Sequence, residues 1–357
     1  MTLAVSIAQS GANNVTMRNR IINGAMMIDQ RNAGASATAS TATYTFFTDR
    51  FKVYSSGASK LSGQRTTTAP SGFINSLVLT SLAATSPASG DEYQLYAPIE
   101  GYNIADLGWG TASAKTVTLS FWVRSSLTGT FSGCLYNPGG TPTVSYVFTY
   151  TISSADTWEY KTITISGDTS ATWGSQNSSG ITIVWDLGSG VNLNKTAGAW
   201  SSGFGSRTSG SVTLVGTNGA TFYITGVQFE AGTTATAFEQ RLYGTELALC
   251  QRYYLQLSGN GTSYAVGYQY AAAQVGAVIN FPVTMRSGPT FAQGSGTNYF
   301  VFYRNSGATL FNSWTFANSN TNSAELYNNT ITTTGGVYSG NLVFNNASAF
   351  IGFTAEL

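Results

Sequence analysis

Histidine is absent from this 357-residue sequence, and that absence narrows its chemistry first. Without it there is no Ser-His-Asp or Cys-His catalysis, no imidazole acid–base relay and no histidine metal ligand. Two cysteines, Cys134 and Cys250, cannot complete a tetrahedral zinc shell. Paired carboxylates, as in glycoside hydrolysis, are the catalytic route left. Asp91, Glu92, Glu100, Asp106, Asp186, Glu230 and Glu239 supply the acids, but no spacing singles out a pair. Asn23, Asp29 and Glu230 are oxygen donors of the type calcium takes, without a defined loop pattern. The glycines at 203, 205 and 210 lack the Lys-Ser/Thr ending of a phosphate loop. No cofactor, metal or catalysis is therefore expected.

Aromatic rings are the stronger chemical signal. Trp109, Trp173, Trp200 and Trp314 sit in polar, Gly-rich stretches, as do Tyr264, Tyr268, Tyr299, Tyr303, Tyr327 and Tyr338. Rings beside Asn, Gln, Asp and Arg suit a sugar: the apolar sugar face stacks and the hydroxyls take hydrogen bonds. For any single ring, core packing is the competing role. The candidate glycan contacts are Tyr264, Tyr268, Tyr299, Tyr303, Arg304, Trp314, Tyr327 and Tyr338.

The elements that must position these residues read as strands. Residues 115–126 alternate Val117, Leu119, Phe121 and Val123 against Thr118, Ser120, Trp122 and Arg124. Residues 158–167, 180–188 and 220–232 repeat the theme, with turns at 137–140, 166–168 and 216–219. The fold class expected is all-β: a jelly-roll β-sandwich over 21–240, a connecting helix in 241–257, and a second, smaller β-sandwich over 258–357. Residues 264–283 are uncharged and rather apolar, but two Gln, an Asn, two Gly and a Pro favour a pair of buried strands over a membrane span.

One stretch differs from the rest. After Gly244, "TELALCQRYYLQL" is free of Gly and Pro. Thr245 is a plausible N-cap and Glu246 suits the first turn, so a helix over 245–257 is predicted. Leu247, Cys250, Tyr254 and Leu257 then form one stripe. A helix this short needs a partner surface. Charged residues are only 9 % of the chain, against about 25 % in ordinary globular proteins. Stripe and composition together predict a homotrimer with those four side chains as contacts. A net charge of +1 offers no basic field to nucleic acid, and scattered Lys and Arg offer none to a membrane surface.

Several segments resemble one family in the right order along the chain. "NRIINGAMMIDQRNAG" (19–34) and "YTFFTDRFKVY" (44–54) resemble the start of many phage tail fibre and receptor-binding proteins. "KTVTLSFWVRSSLTGTFSG" (115–133) resembles their central jelly-roll strand pair. "YITGVQFEAGTTATAFEQRLYGTELALCQRYY" (223–254) resembles the final strand and short helix. "FPVTMRSGPTF" (281–291) and "FIGFTAEL" (350–357) resemble their C-terminal domain. The resemblance implies a fibre with a carbohydrate-binding-module-like jelly roll. It also implies a homotrimer whose distal β domain meets a host surface polysaccharide or lipopolysaccharide. Residues 1–20 would attach it to other tail or baseplate proteins, directly or through an adaptor. Two further functions stay open: a tailspike-like depolymerase, and an architectural or decoration protein of the virion without a ligand.

Overall fold

The computed structural model describes residues 17–271, 273–305, 307–331 and 338–357. Most of the expected attachment segment, residues 1–16, lies outside the described residues. The chain forms two compact units, residues 1–246 with Leu357, and residues 247–356.

The first unit holds β1 (Ala37–Thr38), β2 (Tyr44–Thr48), β3 (Phe51–Ser55), β4 (Leu61–Thr66), β5 (Ser76–Ser81), β6 (Tyr93–Glu100) and β7 (Val117–Ser125). It continues with β8 (Gly129–Tyr136), β9 (Val144–Ile152), β10 (Glu159–Ile165), β11 (Ser179–Asp186), β12 (Trp200–Ser202) and β13 (Thr221–Ala231). They make two antiparallel sheets, ordered β1-β4-β5-β13-β7-β10 and β12-β9-β8-β11-β6-β3-β2. This is a jelly-roll β-sandwich. The period-two reading of β7 holds: Val117, Leu119, Phe121 and Val123 are each fully buried. They meet Phe131, Tyr150, Trp185, Phe222 and Phe229 in one core. Each ring so buried contributes roughly 1.5–3 kcal/mol.

The helix is shorter than the sequence predicts and starts earlier. It is α1, Tyr243–Gln251, and the Glu246 N–H donates to the Leu242 carbonyl, so Thr245 is no N-cap. Residues 254–258 leave the helix to become β14 (Tyr254–Ser258), paired from Tyr254↔Thr354 to Ser258↔Phe350 with β23 (Phe350–Thr354). Five ladder positions and a buried Leu255 outweigh the helical period of "QRYYLQL". The four-residue stripe therefore does not exist. Leu247 and Cys250 are helical, whereas Tyr254 and Leu257 are on a strand. Cys250 and Tyr254 are buried within their own chain, and Leu257 packs on the second unit's core.

The second unit is a sandwich of unequal sheets. Between β14 and β23 come β15 (Ser263–Ala271), β16 (Gln274–Asn280), β17 (Thr290–Gln293), β18 (Phe300–Arg304), β19 (Gly307–Phe311), β20 (Thr315–Ser319), β21 (Ser323–Asn328) and β22 (Ser339–Phe344). The small sheet is β14-β23-β17 and the large one β19-β18-β22-β15-β16-β21-β20. Phe300, Phe302, Leu326, Leu342 and Phe344 of the large sheet bury against Leu255, Ile351 and Phe353 of the small one. Residues 264–283 are indeed a strand pair, β15 and β16, but only one face is buried. Val266, Tyr268, Tyr270 and Val278 point outward and are exposed. Among the described residues no helix is long and apolar enough to cross a membrane.

Candidate functional site

The open face of the large sheet carries the candidate site. Strand register places Ser339, Tyr268, Gly276, Tyr327 and Thr315 in one row across β22, β15, β16, β21 and β20. Strands lie about 4.8 Å apart, so Tyr268 and Tyr327 stand roughly 10 Å apart with a glycine between them. The glycine is needed there: a Cβ at Gly276 would lie 2.7 Å from the Tyr268 ring. Tyr268 thus leans over β16, and its hydroxyl donates to Glu325 Oε1 at 2.9 Å. Asn318 Nδ2 donates to Glu325 Oε2 at 3.0 Å. Tyr268, Tyr270, Gln274, Gly276, Glu325 and Tyr327 line a recess of about 220 Å³. Tyr270 is 76 % exposed, a ring kept in water at its rim.

The bonds from Asn318 and from Tyr268 hold the Glu325 carboxyl below its ordinary value, and burial opposes them only weakly. Burial and the adjacent carboxylate raise the Tyr268 phenol. The recess therefore holds a carboxylate fixed by a phenol and an amide. Such a site can stack a ring and hydrogen-bond its substituents.

The expected glycan contacts divide into four groups. Tyr268 and Tyr327 come together in the recess. Tyr303 lies on the same open face, paired with Asn341, which pairs in turn with Val266. Arg304 and Tyr338 lie apart from the recess, the guanidinium 5.8 Å from the Tyr338 ring centre and Nη1 bonded to Thr309. Tyr264, Trp314 and Tyr299 belong to the core instead, which corrects the expectation. Trp314 is 4 % exposed and gives its indole N–H to the Tyr264 hydroxyl at 3.0 Å. Tyr264 stacks on Phe344, ring centres 4.2 Å apart, and Tyr299 packs against the same cluster. Tyr270, Gln274, Gly276 and Glu325 are not among the residues that the sequence singles out. The signal that finds them is parity, since Val266, Tyr268 and Tyr270 share one face.

In the first unit, the three tryptophans turn their rings on each other. Trp109, Trp173 and Trp200 meet edge-on at 4.8, 5.4 and 5.3 Å. Their indole N–H groups go to Lys115 O, Asp168 Oδ2 and Ser166 O, so the trio is structural. A second aromatic groove, about 410 Å³, lies over Gly226 between Trp122, Tyr160, Phe73 and Phe238. Gly226 has φ 61° in a bulge of β13, and a Cβ there would be 2.6 Å from Phe73. The sequence reading passed over this groove because Phe73 and Phe238 come from distant loops.

The candidate acids have structural partners. Asp106 pairs with Arg20 at 2.8 Å, and Glu230 with Arg18 at 3.2 Å. Glu239 takes the N–H groups of Met17, Arg18 and Asn19, and Asp91 that of Ala88. Burial raises the Glu92 carboxyl, which takes the Tyr96 hydroxyl. Glu100 is buried. Burial also raises Asp186, 3.8 Å from Arg207 Nε, and Asp186 accepts the N–H groups of Gly188 and Ser189. Asn23 and Asp29 spend their oxygens on turns: Asn23 Oδ1 takes Ile28 N–H, and Asp29 takes Asn32 and Gly34 N–H. Among the described residues no group of three or more Cys, Asp or Glu could hold a metal ion.

No protein-family model matches the chain, and no curated protein matches it. Solved structures similar to it are carbohydrate-binding-module-like β-sandwiches, one of them part of a phage tailspike. A putative sugar binding protein from Bacteroides thetaiotaomicron is 12 % identical, with TM-score 0.35 over 60 % of this chain and 100 % of that one. The family 11 carbohydrate-binding module from Clostridium thermocellum, solved with a mixed-linked tetrasaccharide, is 11 % identical, with TM-score 0.27 over 58 % and 100 %. The enzymatically active domain of tailspike protein 4 from bacteriophage CBA120 is 13 % identical, with TM-score 0.34. That match covers 60 % of this chain but only 21 % of the tailspike chain.

Proposed function

We propose that this protein is a bacteriophage tail fibre that adheres to its host by binding a surface glycan, without cutting it. The observation that carries the adhesion is the recess of Tyr268, Tyr270, Tyr327, Gln274 and Glu325 on an uncovered sheet face. Rings are rarely left in water without a partner to cover them in patches of this kind. The segments resembling phage fibres support the virion setting, and the structural duties of the acids support the absence of cleavage. The same reading makes the chain a homotrimer, which its 9 % charged residues favour. The test is adsorption of the full chain to host cells, wild type against Tyr268→Ala/Tyr327→Ala. Losing two ring contacts of about 0.5–1.5 kcal/mol each should weaken adsorption by about tenfold or more at unchanged melting temperature. Undiminished adsorption removes this face as the reader. Release of sugar fragments from host polysaccharide would contradict adhesion without cleavage.

A further inference from the structure

Among the described residues Glu325 has no ion-pair partner; its two oxygens take a phenol and an amide. It is one of only two acidic residues after Glu246, the other being Glu356. The cations of the second unit are Arg252, Arg286 and Arg304. Arg252 donates to Thr284 O, Arg286 to Ala355 O and Glu356 O, and Arg304 to Thr309 Oγ1. The donors on Glu325 are a phenol and an amide, which fix its two oxygens without discharging them. The three tyrosine rings that line the same recess carry negative π faces on which a cation can rest. An acidic sugar would meet a carboxylate of like sign. A neutral sugar would gain stacking and hydrogen bonds alone. A sugar bearing an ammonium would add a charge-assisted bond and a cation–π contact. The recess of about 220 Å³ is also smaller than the roughly 300–1,000 Å³ of drug-sized sites, so it suits one sugar ring.

Resting on the adhesion reading above, we propose that this recess selects a hexosamine residue with a free, protonated amine. Gln274 and the Tyr270 and Tyr327 hydroxyls bond the ring substituents, and Glu325 takes the ammonium.

Calorimetry on the full chain with two β-linked glucosamine tetramers tests this, one with free amines and one fully N-acetylated. At mildly acidic pH the amine is charged and Glu325 stays ionised. The free-amine tetramer should bind about tenfold tighter, a difference of about 1.4 kcal/mol. Added salt should shrink that gap, because screening weakens an exposed charge pair. Glu325→Gln should bring the two tetramers to equal affinity. Ethanolamine, an amine without a ring, should not compete where glucosamine does. Equal affinity for both tetramers in the wild type overturns the assignment, as does a preference that survives Glu325→Gln or salt. Competition by ethanolamine equal to that by glucosamine overturns the sugar part. Binding of neither tetramer also overturns it, and intact cell adsorption in that case leaves the adhesion reading standing.

Discussion

At the residue scale, two small features decide which rings can act. The first is Gly276. Its missing side chain lets Tyr268 cross β16 and reach Glu325. Gly276→Val should displace that ring and weaken glycan binding by about tenfold while the circular dichroism spectrum is kept. Wild-type affinity in that variant would show that the leaning ring is dispensable. The second is a bulge. Ser263 pairs with Val343 and Ala265 with Leu342, so Tyr264 is an extra residue in β15. An extra residue flips the side chains beyond it to the other face. Tyr264 therefore stacks inside on Phe344 while Tyr268 stands outside. Nothing in the one-dimensional alternation marks that bulge, so Tyr264 and Tyr268 looked like members of one set. In the tryptophan trio, burial pushes the Asp168 carboxyl up. The Trp173 indole, Ala171 N–H and Ser170 outweigh it and hold it below its ordinary value. Because the folded value is lowered, this stability is present at neutral pH. It is lost as pH falls below about 4, the unfolded value, and on through the folded one. Asp168→Asn should cost about 1–3 kcal/mol at neutral pH and flatten the acid end of the tryptophan-fluorescence melting curve. An unchanged acid dependence would free Asp168 from that role.

At the element scale, strands whose apolar residues alternate were legible, and the segment of mixed period was not. In β7 the inward residues follow from sequence alone, since period two and β-branched or aromatic types agree. In "TELALCQRYYLQL" a helical spacing and a strand alternation overlap. The choice falls to β23, about a hundred residues away, which no local pattern reports. The consequence for the proposed trimer is concrete. Cys250 and Tyr254 are spent inside their own chain, whereas Leu242 and Tyr243 are 82 % and 58 % exposed at the start of α1. If α1 carries the trimer contact, Leu242→Ser/Tyr243→Ser should convert the trimer to monomer by light scattering with the fold retained. A persistent trimer would take α1 out of the interface. Both thiols should be inert to a thiol reagent until denaturant is added, as Cys134 and Cys250 are fully buried and burial pushes the Cys134 thiol up.

At the scale of the whole molecule, composition narrows the chemistry without locating it. Absent histidine and sparse charge are the reasons recognition is proposed over reaction. The structure then gives the acids partners in turns, ion pairs and cores. What composition could not supply is which face the proposed recognition would use. That depends on which side of the seven-stranded sheet the small sheet covers. The core takes Phe300, Phe302, Leu326, Leu342 and Phe344, and the opposite side leaves Val266, Tyr268 and Tyr270 in water. The most direct measurement of the central claim is host-cell adsorption by the full-length Tyr268→Ala/Tyr327→Ala protein, with melting temperature and oligomeric state checked in parallel. Adsorption weakened by about tenfold or more in a folded protein is the predicted result. Adsorption equal to wild type would contradict it.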